Sequence, residues 1–246
     1  MEVRICKTCK DLGKSAAEYV ANIIKEKIAK NGSARIVLST GASQFDTIEA
    51  LVAIPDIKWE CVEMFHLDEY VDLPITHGAS FRKYLQERFV DKVGTLKAVH
   101  FVDGTKEGIA GLTAELRSAP IDIGLIGIGE NAHIAFNDPP ADFDTKEAYI
   151  IVNLNETCKR QQMGEGWFPT IDDVPKQAVS MTAYQIMQCE TIVSCVPYKV
   201  KAEAVKNTLF AKEVTNLVPA TLLKEHENFT LYIDAESAAK VIDFKF

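Results

Sequence analysis

The chain has 246 residues, of which 47% are hydrophobic and 25% are charged, and its formal net charge is −8. This composition is typical of a globular protein and excludes disordered, collagen-like and disulfide-scaffold classes. An acidic chain without a basic block is also a poor nucleic-acid binder. No stretch approaches the ~18 apolar residues of a membrane span, and the first residues lack an apolar signal core, so we expect no membrane association.

Cysteine spacing bears on metal binding and on the cellular compartment. Six cysteines occur, and only Cys6 and Cys9 are closely spaced. The chain has no second closely spaced pair, so a four-ligand zinc site is not supported, and we interpret Cys6 and Cys9 as structural thiols rather than as a redox motif. Free thiols are typical of a reducing cytoplasm, which is the expected location.

Helix and strand patterns alternate along the whole chain. The helix over 11–30 is amphipathic, with Asp11 as its cap and Asn31-Gly32 as its end. In chain order the pattern predicts a strand ending at residue 6, a helix over 11–30, a strand over 34–38, a helix to 53, a strand over 59–65, a helix over 80–89, a strand over 99–101, a helix over 107–117 and a strand over 121–126. Further strands are predicted over 149–152, 178–181, 191–196 and 229–233, with a helix over 201–209.

Short apolar strands that alternate with helices predict an α/β fold. We expect a mainly parallel, open, Rossmann-like sheet with helices on both faces, in three α/β/α layers. Residues 1–246 are expected to form a single domain, because no low-complexity linker interrupts them. The segment 155–176 is polar and irregular, and a loop of that length in a compact domain is typical of a lid over a binding site.

Polar residues follow two of the predicted strands. Open parallel sheets bind ligands at the carboxyl ends of their strands, so these residues are candidates for a binding site. Ser39-Thr40-Gly41-Ala42-Ser43 leads into a helix and offers backbone N–H groups and hydroxyls to an anion, although a plain strand–helix turn is an equal reading. It lacks the Gly-Lys-Ser/Thr ending of a P-loop. His66-Leu67-Asp68-Glu69-Tyr70 follows the next strand and is compatible with acid–base chemistry, metal binding or a helix cap.

A third strand end carries the longest motif, Gly127-Ile128-Gly129-Glu130-Asn131-Ala132-His133-Ile134-Ala135-Phe136-Asn137-Asp138-Pro139. Its opening matches a loose dinucleotide pattern, but it lies outside the first crossover unit, and Pro139-Pro140 ends any helix too early. We therefore expect no nicotinamide cofactor and assign the glycines to close approach of backbone and ligand. A metal held by His66, Asp68 and His133 has no supporting spacing.

These segments together resemble the glucosamine-6-phosphate deaminase/isomerase family, which shares its fold with 6-phosphogluconolactonases. The resemblance covers nearly the whole chain, from 39–43 through 67–70 and 127–139 to Lys-Ala-Glu-Ala-Val at 201–205. Residues 135–139 match the deaminase branch rather than the lactonase branch. The resemblance implies an enzyme that acts on a small sugar phosphate, and a homo-oligomer is compatible with it. We expect no cofactor and no metal.

The resemblance also implies residue roles. Asp68 is then the base that moves a proton between carbons 2 and 1 of the opened sugar, and His133 hands a proton to the ring oxygen. Asp138, where the family usually has Glu, tunes His133. Asn131 stands in place of the family's Asp and can hydrogen-bond the imidazole without adding a charge. Lys201, with the loop residues Thr40, Gly41, Ala42 and Ser43, matches the phosphate site, and Arg160 is a candidate for the family's lid arginine.

Three questions stay open at the level of sequence. The substrate can be glucosamine 6-phosphate or its galactosamine epimer. A lactone hydrolase like the 6-phosphogluconolactonases is an alternative reaction, and a non-catalytic sugar-phosphate sensor is a second alternative, although the chain carries no DNA-binding helix-turn-helix. Without the resemblance, His133 is as readily a structural histidine as a catalyst.

Overall fold

The computed structural model describes residues 1–164 and 166–241. Its strands are β1 (Glu2–Cys6), β2 (Ala34–Leu38), β3 (Val62–His66), β4 (Asp68–Tyr70), β5 (Ala98–His100), β6 (Ile123–Leu125), β7 (Tyr149–Asn153), β8 (Gln177–Met181), β9 (Thr191–Val196) and β10 (Phe229–Asp234). Its helices are α1 (Cys9–Asn31), α2 (Phe45–Val52), α3 (Phe81–Leu85), α4 (Asp91–Val93), α5 (Lys106–Arg117), α6 (Glu156–Gly164), α7 (Ala183–Ile186) and α8 (Ala202–Phe210). None of the described helices is both long enough and apolar enough to cross a bilayer.

A parallel sheet of seven strands forms the centre, in the order β1-β10-β9-β6-β2-β3-β5. Each neighbouring pair in it is parallel. From β2 the chain moves outward to β3 and β5, whereas β6, β9 and β10 extend the sheet on the other side. The order therefore reverses between β2 and β6, and that switch point is where open α/β sheets bind ligands.

Helices cover both faces of this sheet, because alternate residues of a buried strand point in opposite directions. In β2, Ile36 and Leu38 join a core cluster that contains residues of α1 and α2. Val37 between them joins a second cluster with residues of α5, α7 and α8. The predicted three-layer α/β architecture is confirmed.

A second, three-stranded antiparallel sheet, in the order β4-β8-β7, was not predicted. Residues 149–152 and 178–181 are strands as expected, but they pair with each other and with Asp68–Tyr70 rather than in the main sheet. The three residues of β4 are too few for an alternation pattern to reveal. This small sheet carries Asp68 directly beyond the carboxyl end of β3.

Two local predictions were wrong. Helix α1 is capped by Thr8, whose Oγ1 accepts a hydrogen bond from the Asp11 N–H at 3.1 Å, so Asp11 lies in the first turn instead of at the cap. The segment 155–176 is not irregular throughout, because Glu156–Gly164 is helical. Residue Glu165 of that segment lies outside the described residues.

Candidate active site

A pocket opens at the carboxyl ends of β9, β6, β2 and β3, four neighbours that span the switch point. Each contributes the loop that follows it, and α6 covers the opening. The described lining residues are Ser39, Thr40, Gly41, Ser43, Leu67, Asp68, Phe81, Gly127, Ile128, Gly129, His133, Ala135, Phe136, Gln161, Gln162 and Lys201. Residues separated by more than 160 positions in the chain therefore meet at one site.

The loop after β2 turns at Gly41 and lines the pocket. Gly41 has φ 99° and ψ 165°, a conformation that glycine adopts without strain. Its carbonyl accepts hydrogen bonds from the Gln44 N–H at 3.0 Å and the Tyr84 hydroxyl at 3.1 Å. Thr40, Gly41 and Ser43 line the pocket. Ala42 is not among the lining residues, and its carbonyl faces the hydroxyl of Tyr198 at 3.4 Å.

Gln44 connects the loop after β2 to β9, the strand on the far side of β6. Its Nε2 donates to the Ser43 hydroxyl at 3.0 Å and to the Cys195 carbonyl of β9 at 3.1 Å. Lys201 follows β9 at the start of α8 and is only 7% exposed. Among the lining residues that the structure describes, it is the one Lys or Arg. The loop and Lys201 therefore place hydroxyls and an ammonium group on one side of the pocket.

Asp68 enters the pocket from β4 and is 6% exposed. Burial, followed by the nearby charge of Glu69, raises the pKa of Asp68 from 3.8 to about 8. A carboxyl group with that pKa takes up and releases a proton near neutral pH. This is the property that a general base for a carbon-bound proton requires.

Glu69 points away from the pocket and has a structural role. Its side chain is fully buried and accepts hydrogen bonds from the Ser80 hydroxyl at 2.8 Å and from the N–H of Arg82 at 2.9 Å. The Arg82 side chain also forms an ion pair with it at 3.1 Å. These contacts bind the start of α3 to β4 and hold the strand that carries Asp68.

The His133 side chain is held by two polar neighbours. Its Nδ1 lies 2.6 Å from Oδ1 of Asn131 and 3.2 Å from Oδ1 of Asp138. The Asn131 amide donates to the same Asp138 oxygen at 2.9 Å. Because both neighbours accept, the proton of a neutral imidazole is assigned to Nδ1, which leaves Nε2 for a ligand.

Asp138 supplies the negative charge of this group. Burial raises its pKa, but hydrogen bonds from His133 and Asn131 and the Coulombic attraction of His133 outweigh burial, so the pKa is lowered overall. Asp138 is therefore a carboxylate at neutral pH. The three side chains meet in one group, with the carboxylate at position 138 and the amide at position 131.

Gly129 determines where the imidazole lies, a role that the sequence alone did not assign. A Cβ atom at this position falls 2.1 Å from Cε1 and 2.3 Å from Nε2 of His133. The ring therefore packs directly against the Gly129 backbone, and any side chain there displaces it. In the sequence, the second glycine of Gly127-Ile128-Gly129 could have indicated this packing. The sequence analysis assigned it only to close approach between the backbone and a ligand.

A buried asparagine fixes the rest of this loop. The Nδ2 of Asn137 donates to the carbonyls of Ile134 and Met181, both at 2.8 Å. The Phe136 N–H donates to the Ser180 hydroxyl at 3.0 Å. Residues 134–137 are therefore attached to β8, which pairs with the strand of Asp68, so the small sheet links Asp68 to the His133 loop.

The structure does not place Arg160 in the pocket. Its side chain is 64% exposed and pairs with Glu156, one helical turn earlier, at 3.2 Å. Gln161 and Gln162, the next residues of α6, line the pocket instead. The sequence analysis missed both, because neither amide belongs to a recognised motif and the helix phase in this polar segment was not predictable.

Two further candidates from the sequence play no part in the pocket. His66 is fully buried, and burial, with a smaller effect of Arg82, lowers its pKa to about 3, so its ring is neutral. Burial raises the pKa of both Cys6 and Cys9, and both thiols are free. A raised pKa is the opposite of what an attacking thiol needs, which favours the structural interpretation.

Comparisons with known proteins show the family of this chain. The sequence profile of the family described as glucosamine-6-phosphate isomerases/6-phosphogluconolactonase matches residues 7–232. A glucosamine-6-phosphate deaminase of Shouchella clausii (strain KSM-K16) is 34% identical over 235 residues, which cover 91% of this chain and 92% of the relative. Glucosamine-6-phosphate deaminase 1 of Bacillus subtilis (strain 168) is 32% identical over 251 residues, which cover 97% of this chain and 99% of the relative.

Solved structures show the same relationship. A monomeric glucosamine-6-phosphate deaminase, described as a missing link of the NagB superfamily, superposes with a TM-score of 0.88 at 28% identity, covering 98% of this chain and 100% of that one. A 6-phosphogluconolactonase from Shewanella baltica OS155 superposes with a TM-score of 0.76 at 16% identity, covering 96% and 98%. At that identity the second match shows a common fold alone.

Proposed function

The chain belongs to the glucosamine-6-phosphate isomerase and 6-phosphogluconolactonase family, and we propose that it is an enzyme that converts an amino-sugar 6-phosphate to the ketose 6-phosphate and ammonia. The observation that carries this proposal is the convergence of Asp68, His133 and Lys201 on one pocket. One carboxyl base, one imidazole and one phosphate-binding cation are the groups that this reaction requires. Relatives that are glucosamine-6-phosphate deaminases support the same reading.

Phosphate binding orients the substrate. The Lys201 ammonium, the hydroxyls of Thr40 and Ser43 and the backbone at Gly41 hold the 6-phosphate on one side of the pocket. A charge-assisted contact of this kind contributes about 1.5–3 kcal/mol. With the phosphate held there, the carbons at the other end of the sugar reach Asp68 and His133.

Ring opening is the first chemical step, and His133 transfers the protons that it requires. The Nδ1–H is held by Asn131 and Asp138, so Nε2 exchanges protons with the sugar. Nε2 of the imidazolium gives its proton to the ring oxygen as the C1–O5 bond breaks, and it receives the proton of the C1 hydroxyl. The carboxylate of Asp138 stabilises the imidazolium form.

Proton transfer from carbon 2 to carbon 1 follows, and Asp68 is the group that moves the proton. The carboxylate takes the proton of carbon 2, and the electron pair of that C–H bond forms a double bond to carbon 1. The carbonyl π electrons of carbon 1 move to its oxygen, which takes the proton of the His133 imidazolium and gives an enolamine. The resulting carboxylic acid of Asp68 returns its proton to carbon 1, which leaves an iminium group at carbon 2, and that group returns the surplus proton to His133 as it is hydrolysed. Water then adds to carbon 2 and ammonia departs, so the net reaction consumes one water and yields the ketose phosphate.

Gln161 and Gln162 of α6 line the pocket, so this helix covers the place where the sugar binds. Helix α6, within the segment 155–176, is proposed to move away to admit the sugar and to close over it as a lid. Saturating sugar phosphate is expected to slow proteolysis within this segment, and equal cleavage with and without ligand would contradict the lid.

A coupled ammonia assay tests the function directly. Glucosamine 6-phosphate and galactosamine 6-phosphate are supplied side by side, and ammonia and ketose phosphate are measured together. The proposal predicts stoichiometric formation of both products from at least one epimer. Release of no ammonia from either epimer, together with rapid hydrolysis of 6-phosphogluconolactone, would replace it with the lactonase reaction.

A further inference from the structure

Helix α6 presents one buried amide to the pocket with a defined orientation. Gln162 lines the pocket and is 6% exposed. The hydroxyl of Tyr70 donates to its Oε1 at 2.7 Å. Because Oε1 faces the Tyr70 hydroxyl, the two N–H donors of Nε2 are assigned to a ligand in the pocket.

Tyr70 is a rigid partner for that amide. It is fully buried, and its ring packs against Phe81 at 5.0 Å and Phe136 at 5.4 Å between ring centroids, two residues that also line the pocket. Tyr70 also belongs to β4, the strand that carries Asp68. The Tyr70–Gln162 hydrogen bond therefore fixes the amide of the covering helix relative to the candidate base.

The chemistry of the three parts of the substrate identifies what Nε2 contacts. The phosphate is held by Lys201 and the loop after β2, and the carbon-2 ammonium offers donors only. Sugar hydroxyl oxygens accept hydrogen bonds, and those on carbons 3 and 4 lie between the phosphate and the reacting carbons. We propose that Gln162 is a specificity-determining residue that donates from Nε2 to the hydroxyl on carbon 3 or carbon 4, with Tyr70 as its positioning residue. This inference rests on the proposed function, because it places an amino-sugar phosphate in the pocket.

The test compares Gln162→Leu with the unmodified enzyme on glucosamine 6-phosphate and on its 3-deoxy and 4-deoxy analogues. The variant is expected to lose about 3–10-fold in kcat/KM on the parent sugar, the value of one neutral hydrogen bond. On the analogue that lacks the contacted hydroxyl, the same substitution is expected to change kcat/KM less than about 2-fold. Gln185→Leu is the matched control, since Gln185 is equally buried, accepts a hydrogen bond from Arg117 and lies outside the pocket.

Tyr70→Phe tests the positioning role, because it removes the hydroxyl and keeps the ring. Tyr70→Phe is expected to lower kcat/KM on the parent sugar by less than Gln162→Leu does. On the analogue that lacks the contacted hydroxyl, it is expected to change kcat/KM little, as Gln162→Leu does. A purely structural role would lower activity equally on the parent sugar and both deoxy analogues. Tyr232→Phe is the matched control, since it removes another tyrosine hydroxyl, one paired with Arg4 at 2.8 Å.

Failure of this inference can be distinguished from failure of the proposed function. If Gln162→Leu leaves the parent sugar unaffected, or lowers activity equally on the parent and both analogues while ammonia is released normally, only the inference is overturned. If no ammonia forms, the same substitutions are read in equilibrium binding of the three sugar phosphates by titration calorimetry. The same selective pattern there supports the inference, and absence of binding or an unselective loss overturns it.

Discussion

The Nδ1 atom of His133 lies 3.2 Å from the Oδ1 atom of Asp138. Both side chains sit in the loop that follows β6, and only Asp138 brings a charge, because the other neighbour of the ring is the amide of Asn131. In the proposed reaction, the imidazolium that donates a proton to the ring oxygen is therefore stabilised by one carboxylate. We therefore expect removal of the Asp138 charge to slow the reaction.

Asp138→Asn removes the charge and keeps the shape. We expect kcat to fall about 10–100-fold, the range for a lost hydrogen bond to a charged group, with a small change in KM. Steady-state kinetics on the amino-sugar phosphate measure both constants. Asp144→Asn, an exposed aspartate of the following segment, is the control. Equal kcat values for Asp138→Asn and the unmodified enzyme would show that His133 works without this carboxylate.

Gly129→Ala tests the placement of the imidazole. The added Cβ meets ring atoms of His133 at 2.1–2.4 Å, so the ring must move and activity should fall by at least about 10²-fold. Gly111→Ala is the matched control, because its Cβ meets nothing within 4 Å on the exposed side of α5. That control should retain activity and gain about 0.5–1 kcal/mol in helix stability. A fully active Gly129→Ala enzyme would separate His133 from the reaction.

Deprotonation of Asp68 is expected to lower the free energy of unfolding as the pH rises. Its folded pKa of about 8 exceeds the reference value of 3.8, so the folded chain keeps a proton that the unfolded chain releases between those values. The unfolding free energy therefore falls with rising pH in this window, by at most about 1.4 kcal/mol per pH unit. Asp68→Asn removes this slope, and its melting temperature should exceed that of the unmodified chain increasingly from pH 6 to pH 8, with the difference levelling off towards pH 9. Parallel melting temperatures across that range would contradict a raised pKa.

Lys201→Ala tests the phosphate site. Loss of a buried ammonium that contacts the phosphate should raise KM about 10–100-fold, corresponding to about 1.5–3 kcal/mol. Lys199→Ala is the matched control, because Lys199 is exposed in the same short turn. Substrate titrations of both variants give the comparison. An equal KM for the two variants would place the phosphate elsewhere.

The sequence predicted the main sheet because its strands are continuous apolar runs between amphipathic helices. It did not predict β4, since Asp68–Tyr70 is short and polar, and its pairing with Ser180 and Ala178 is set by contacts more than a hundred residues apart. The cap of α1 was misplaced for a related reason. Thr8 and Asp11 are both good capping residues, and only the backbone conformation distinguishes them.

Individual motif residues were predictable, whereas the covering helix was not. Asp68, His133 and Lys201 each follow a strand, and the carboxyl ends of parallel strands meet at one edge of the sheet. Arg160 and Gln162 lie on α6, where two positions change the direction of a side chain by more than half a turn. Their exposure to solvent or to the pocket depends on how α6 docks, which Tyr70 and its aromatic neighbours decide.

Loss of deuterium from carbon 2 is the most direct test of the central claim that Asp68 is the base of a deamination. Glucosamine 6-phosphate deuterated at carbon 2 is incubated with the unmodified enzyme and with Asp68→Asn, and the carbon 2 label and ammonia are followed together by NMR. The account predicts that the unmodified enzyme breaks the C–D bond as ammonia appears, and that Asp68→Asn leaves the label on carbon 2. Loss of the label at an undiminished rate in Asp68→Asn would contradict it.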